Sequence, residues 1–411
     1  MNLPESRAAC LALDTADPLA AHRAEFDLPE GIIYLDGNSL GPLPRRTPGV
    51  VANVVAEQWG TDLITGWNRH GWLDLPRRVG NAIGGLIGAH PGEVVVADST
   101  SVNLFKALSA ALALRPGRTT ILSERDNFPT DLYIAQGLIA QLGGRHTLKL
   151  VDDDPAAHLG ADTAVVMLTH VNYRTGAMHD LAAITVRAHA AGALMLWDLA
   201  HSAGAVPVDL NAAGADLAVG CGYKYLNGGP GAPAFLFVPE RHQAAFTQPL
   251  SGWMGHAAPF QFETTYRPAD DVGRFLCGTP PVLSMAALEV GVSTVAAAGM
   301  SALREKSMAL TSLFDGLVAR DCPSLVQVTP TDPACRGSQI CLRHPEAYAV
   351  MQALIAGGTI GDFRMPDILR FGFAPLYVRF VDVWDAAAQL SRVLATGAWD
   401  RPEFHTRQRV T

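Results

Sequence analysis

Ala193-Leu194-Met195-Leu196-Trp197-Asp198 runs on into Leu199-Ala200-His201, and a second apolar run, Leu217-Ala218-Val219-Gly220-Cys221, leads into Gly222-Tyr223-Lys224-Tyr225. Both runs are continuously apolar rather than alternating, the pattern of a strand covered on both faces of a parallel sheet. Asp198 closes the first run and Lys224 follows the second. In an open α/β sheet, groups just past the carboxyl ends of strands face the crevice where ligands bind. The run Asn227-Gly228-Gly229-Pro230-Gly231 behind Lys224 sets this lysine in a tight, glycine-rich loop, an unusual place for a solvated surface charge.

Outward from these two strands the same rhythm repeats over residues 93–238. Short apolar runs at 94–96, 120–122, 148–151, 164–168, 193–197, 217–219 and 234–238 alternate with helical stretches. Such repetition predicts βαβ units, hence an α/β fold with a mostly parallel seven-stranded sheet covered by helices. After Pro280-Pro281 the alanine-rich stretch 284–298 predicts a long helix leading into a smaller α/β domain, with further helices at 302–317, 348–356 and 381–394. The opening run Ile32-Ile33-Tyr34-Leu35-Asp36-Gly37-Asn38-Ser39-Leu40-Gly41-Pro42 is too short to fold alone and is expected to pack on that smaller domain. The expected division is therefore an N-terminal segment at 1–59, a large domain at 60–283 and a linking helix with the small domain at 284–411.

A chain of 411 residues, 49% hydrophobic, can bury a large core. Its formal charge of −8, with no lysine- and arginine-rich stripe, argues against nucleic-acid binding. No apolar run approaches the ~20 residues that span a bilayer, and Met1-Asn2-Leu3-Pro4-Glu5-Ser6-Arg7 lacks the features of a signal peptide. A cytoplasmic protein with no membrane partner is expected. Cys10, Cys221, Cys277, Cys322, Cys335 and Cys341 form no C-x-x-C pair, so neither a disulfide framework nor a metal site is indicated.

Several strand ends carry groups that together suit one chemistry. An aldehyde cofactor such as pyridoxal 5'-phosphate needs an amine to carry it and a carboxylate to hold a proton on its ring nitrogen, and Lys224 and Asp198 answer to these. Thr100 and Ser101 open a helical pattern, where free N–H groups and the helix dipole favour a phosphate; the same hydroxyls suit an ordinary helix cap. Phe128 can stack on a flat ring or fill the core at a turn, and Asp131 can face the site or cap the helix behind it. Thr169 is placed to touch the rim of such a ring, and His201, three residues past Asp198, is a partner for Asp198 or for the phosphate.

The runs 34–41, Asn127-Phe128-Pro129-Thr130-Asp131, 197–204, 223–231 and Arg370-Phe371-Gly372-Phe373-Ala374-Pro375-Leu376-Tyr377 resemble those of the bacterial kynureninases, fold type I pyridoxal phosphate enzymes of the aspartate aminotransferase superfamily. The resemblance runs through nearly the whole chain. It implies that Lys224 carries the cofactor, Asp198 pairs with the ring nitrogen and Phe128 stacks on the ring. Thr100, Ser101 and Tyr223 would bind phosphate, joined by Trp253 and Thr279 from the neighbouring subunit of a homodimer. Arg370 would take the substrate carboxylate. Tyr223 would otherwise serve as a proton donor, and both roles stand open. The implied reaction is hydrolysis of L-kynurenine to anthranilate and L-alanine in tryptophan breakdown. Trp67 with Gly278 and Thr279 implies a preference for kynurenine over its 3-hydroxy derivative.

Cysteine desulfurases and selenocysteine lyases share the fold type, but usually place His before the lysine and a reactive Cys in a small-domain loop. Here Tyr223 precedes Lys224 and residues 361–377 hold no cysteine. The same fold type would also suit an aminotransferase, or a regulator that only binds the cofactor.

Overall fold

The computed structural model describes residues 3–408. Seven strands form one sheet in the spatial order Val94–Ala97, Ala234–Phe237, Leu217–Gly220, Leu194–Asp198, Thr163–Thr169, Thr120–Glu124 and Thr147–Val151. The pairings from Leu217–Gly220 to Thr147–Val151 are all parallel, and only Ala234–Phe237 runs against both its neighbours. The three central strands that end at the site are buried throughout, which explains their lack of alternation. Val94 and Val96 point into one core cluster and Val95 and Ala97 into the other, so a core lies on each face of the sheet.

Strands Val326–Gln327, Gln339–Arg343, Ile368–Gly372 and Asp362–Arg364 form a second, antiparallel sheet. Helices Met300–Asp321, Ala347–Ala356 and Phe380–Thr396 pack around it, each longer at one or both ends than the apolar pattern marked. Helix Val282–Ala298 carries almost no polar face, because it is covered by helices Thr47–Asn53 and Leu75–Leu86. No single helix among the described residues is long and apolar enough to cross a membrane.

The N-terminal segment lies against the second sheet and its helices over much of its length. Ile33–Tyr34 pairs with Thr359–Ile360, Asp36 bridges to Gly372, and Asp14 accepts from the free amides of Phe380 and Val381 at 2.6 and 3.1 Å. Its last part departs from the expectation: helix Thr47–Asn53 packs on Val282–Ala298 rather than on the small sheet. Between these two, the segment crosses the Lys224 loop. The Gly41 amide donates to the Tyr223 carbonyl at 2.8 Å, and a Cβ on Gly41 would lie 2.5 Å from the Lys224 carbonyl and 2.8 Å from the Asn227 Cα. No side chain fits there. We retain the division at 1–59, 60–283 and 284–411 as a proposal.

Candidate active site

Ser99, Thr100, Ser101, Phe128, Thr130, Asp131, Thr169, Tyr173, Asp198, Ala200, His201, Tyr223 and Lys224 line one cavity of about 230 Å³. All stand at or just past the carboxyl ends of sheet strands, as the crevice rule requires. Helix Thr100–Ala113 begins here, capped by Ser99, whose hydroxyl accepts from the Val102 amide. Thr100 and Ser101 occupy its first turn, where backbone N–H groups are unpaired and the dipole is positive. Ser99 is thus the cap, so Thr100 and Ser101 are free of that duty.

Two buried carboxyls form the floor. Asp198 accepts from the Ala200 amide at 2.7 Å, and Asp131 accepts from Asn127 Nδ2 at 2.9 Å and, at the 3.5 Å limit, from the Thr169 hydroxyl. Burial pushes both carboxyls above the usual range, and for Asp131 the neighbouring Asp198 charge adds to it. Asp131 lies in the first turn of helix Pro129–Gln141, whose cap residue is Phe128, so Asp131 is a site group as well as a first-turn acid. The Phe128 ring remains partly open to solvent and meets the Tyr173 ring edge-on at 5.1 Å.

Lys224 Nζ lies 2.9 Å from His201 Nε2, 5.9 Å from the Phe128 ring centre and 5.8 Å from that of Tyr223. Burial lowers its pKa, against the opposing pull of Cys221 and Asp198. Burial also raises that of the Tyr223 hydroxyl, with Cys221 and Asp198 adding to the shift. An amine kept partly uncharged is the better nucleophile toward an aldehyde. The donor set fits pyridoxal phosphate: an amine in reach of the cavity, two buried acids whose charge a protonated ring nitrogen would stabilise, and unpaired N–H groups with hydroxyls for the phosphate.

Arg370 is placed beside this cavity and does not line it. Its guanidinium is 1% exposed and spans both oxygens of Asp362, with Nε at 2.7 Å; Nη2 also donates to the Ser39 hydroxyl at 2.7 Å and Nη1 to the Tyr173 carbonyl at 2.6 Å. Arg364 reaches the same Asp362 at 2.6 Å. Burial disfavours the Asp362 charge, but the two guanidiniums more than offset it and its carboxyl titrates low. Asp36, beside them, is pushed up to about 8 by burial and by the Asp362 charge. A substrate carboxylate can reach Arg370 only if Tyr173 or Ser39 yields its edge.

Besides Arg370, four expected residues stay outside the cavity of this single chain. Trp67 lines a separate apolar groove with Trp59, Leu63, Ile64 and Trp72. Trp253 is 40% exposed and packs edge-on against Phe260, while Gly278 and Thr279 are exposed. Sequence reading missed Ser99, Thr130 and Tyr173 at the cavity and Ser39, Asp362 and Gln339 behind it. Tyr173 had a signal, since it follows Thr169-His170-Val171-Asn172 off a strand end. So did Ser99 and Thr130, which stand next to Thr100 and Asp131, while Ser39, Asp362 and Gln339 come together only through long-range packing.

Fold and cavity define a class first: the large sheet with one reversed strand, the lysine loop and the acids at the strand ends are those of fold type I pyridoxal phosphate enzymes. Among solved structures, a cysteine desulfurase from Thermococcus onnurineus NA1 superimposes with a TM-score of 0.78 at 18% identity, covering 96% of this chain and 99% of that one. The Escherichia coli cysteine desulfurase CsdA gives 0.77 at 18% identity, covering 92% and 98%. At that distance the likeness concerns the fold. Curated relatives are much nearer. The kynureninase of Burkholderia pseudomallei (strain 1106a) is 57% identical over 99% of this chain and 100% of its own length. That of Pseudomonas fluorescens is 53% identical over 98% and 99%. The family described as the kynureninase C-terminal domain matches residues 303–390. The chain belongs to the kynureninase family.

Proposed function

We propose that this protein hydrolyses L-kynurenine to anthranilate and L-alanine with pyridoxal 5'-phosphate, as a cytoplasmic homodimer in tryptophan breakdown, a route that also feeds NAD biosynthesis. The observation that carries the reading is the half-buried Lys224 amine, facing a cavity floored by the buried Asp198 and Asp131. When bound, the cofactor supplies an electron sink for the charge released as bonds to the substrate's α- and β-carbons break.

The chain's own groups have these tasks. Lys224 would carry the cofactor, and its amine would move the substrate's α-proton. Asp198, with Asp131, would keep the ring nitrogen protonated. Phe128 would cover the ring face, Thr169 would touch its rim, and His201 would serve Asp198 or the phosphate. Thr100, Ser101 and Tyr223 hold the phosphate, with Trp253 and Thr279 of a second copy closing it; the exposure of both in one chain supports that sharing. Arg370 takes the substrate carboxylate through its two-pronged edge. Tyr223 protonates the β-carbon or serves the phosphate alone. None of the cavity-lining residues is a cysteine, so a desulfurase reaction lacks its nucleophile here.

Borohydride reduction followed by peptide mapping tests the first step: a pyridoxyl adduct on Lys224 is expected, and an adduct elsewhere or none refutes the reading. Anthranilate fluorescence on adding kynurenine tests the second. Trp67, Gly278 and Thr279 at the aromatic end of a shared pocket would favour kynurenine over 3-hydroxykynurenine, and an equal or higher kcat/KM on the latter overturns that preference.

A further inference from the structure

Gln339 heads the strand Gln339–Arg343 of the small sheet, is fully buried, and extends its side-chain amide toward the large sheet. Nε2 lies 3.3 Å from the Asn172 carbonyl, 3.1 Å from the Tyr173 carbonyl and 3.6 Å from Cys341 Sγ, while Oε1 lies 3.2 Å from His201 Nδ1. Carbonyl oxygens only accept. Two of them therefore fix which end of the amide is NH2, and Oε1 must be the atom facing the imidazole. Because Oε1 also only accepts, Nδ1 of His201 carries the proton. Burial, with the positive charges of Lys224, Arg370 and Arg364 on the surrounding elements, keeps this imidazole neutral. Its Nε2 is then a bare lone pair, 2.9 Å from Lys224 Nζ.

We propose that Gln339 is a positioning residue for both ends of the site: it locks His201 in the Nδ1–H tautomer, so that Nε2 accepts a hydrogen bond from the Lys224 amine, and it holds the Tyr173 carbonyl against Arg370. Against the charged form of the free amine the opposite tautomer would set N–H against N–H, donor against donor; with the cofactor carried on Lys224, the Gln339 contact alone sets the tautomer. The Tyr173 carbonyl accepts from Gln339 at 3.1 Å and from Arg370 at 2.6 Å, so one amide spans from the lysine's acceptor to the guanidinium. The proposal rests on the roles given above to Lys224 and Arg370.

The test is nitrogen NMR of the holoenzyme carrying labelled histidine, with His201→Gln used to assign the signal. The wild type is expected to show Nδ1–H for His201. Gln339→Met keeps the volume but removes both contacts, and should give a tautomer mixture with KM for kynurenine raised about tenfold, the loss of roughly one hydrogen bond, and kcat changed less. Gln339→Glu retains an acceptor for Nδ1 and should preserve the tautomer while raising the imidazole pKa, adding an acid limb to the pH profile. An Nε2–H tautomer in the wild type, or a Gln339→Met enzyme with unchanged tautomer and KM, overturns the proposal. The tautomer is read without turnover, so its failure is separable from failure of kynurenine as substrate.

Discussion

Asp362→Asn exposes how the guanidinium cluster is balanced. Asp362 is 1% exposed and accepts from Arg370, Arg364 and, at 2.6 Å, the Ser39 hydroxyl. Asparagine keeps the shape and removes the one charge that offsets two buried or half-buried guanidiniums. Unit charges about 4 Å apart at an effective dielectric near 20 interact by about 4 kcal/mol, and breaking a buried pair from one side costs about 3 to 5 kcal/mol. Asp36 complicates the figure in a measurable way. It is neutral below about 8 in the native protein, one of its oxygens lacks a hydrogen-bond partner, and the Asp362 charge helps to hold it there. With that charge gone and both arginines still present, the Asp36 carboxyl moves down and ionises in place of Asp362. An acid whose folded-state pKa lies above its unfolded value carries a cost that grows as pH rises from the one to the other, so bringing Asp36 down from about 8 relieves most at the upper end of that range. The deficit of Asp362→Asn, read by urea unfolding, should therefore be near the full value at pH about 5 and smaller at pH about 8. Measured against Asp36→Asn alone, the deficit of Asp36→Asn/Asp362→Asn should no longer shrink with pH. A loss below about 1 kcal/mol at the acid end, or the same pH trend in the double variant, refutes the reasoning.

Asp198→Asn should lower kcat/KM about a thousandfold, the equivalent of about 4 kcal/mol, and Asp131→Asn should cost less. Retention of activity within about fivefold in a folded, cofactor-loaded Asp198→Asn enzyme would contradict the ring-nitrogen role. If Trp253 completes the partner's site, neither Lys224→Ala nor Trp253→Ala dimers should be active alone. Refolded mixtures should recover about a quarter of wild-type turnover, since half the dimers are hybrids with one intact site each, and no recovery would place Trp253 elsewhere. Away from the site, Asp216 is buried but receives hydrogen bonds from His242, the Met195 amide and His189, which bring its carboxyl down to about 2. That lowered value stabilises the fold at neutral pH by about 2 kcal/mol, lost as pH falls from about 4 through 2, so Asp216→Asn should flatten the acid limb of the unfolding curve.

The large sheet was legible because burial on both faces leaves a strand no polar side, and the continuous run from Ala193 to Trp197 states this directly. Asp198 and Lys224 were legible for the same reason: an ionisable group that ends such a run is either an error of folding or a functional group in a crevice. Residues whose position is set by the chain's return were not legible. Gln339 begins an ordinary small-sheet strand, and nothing within it announces that its amide reaches His201, which lies 3.2 Å away in space but in another sheet layer. Asp362 and Ser39 likewise acquire meaning only when Ile33–Tyr34 pairs with Thr359–Ile360 and brings both to Arg370.

Arg370 marks the boundary between the two kinds of reading. Its apolar neighbours Ile368, Leu369 and Phe371 said that it was buried, and it is. A buried guanidinium, however, must satisfy its donors before any substrate arrives. Here the Nε edge belongs to Asp362, while the outer edge rests on the Ser39 hydroxyl and the Tyr173 carbonyl. These are a rotatable hydroxyl and one carbonyl of a loop, both neutral and both replaceable by a carboxylate. Asp362 is charged, shared with Arg364, and costly to displace. The order of these strengths decides which edge a ligand can win, and it points to the edge that opens toward Tyr173, itself part of the cavity wall.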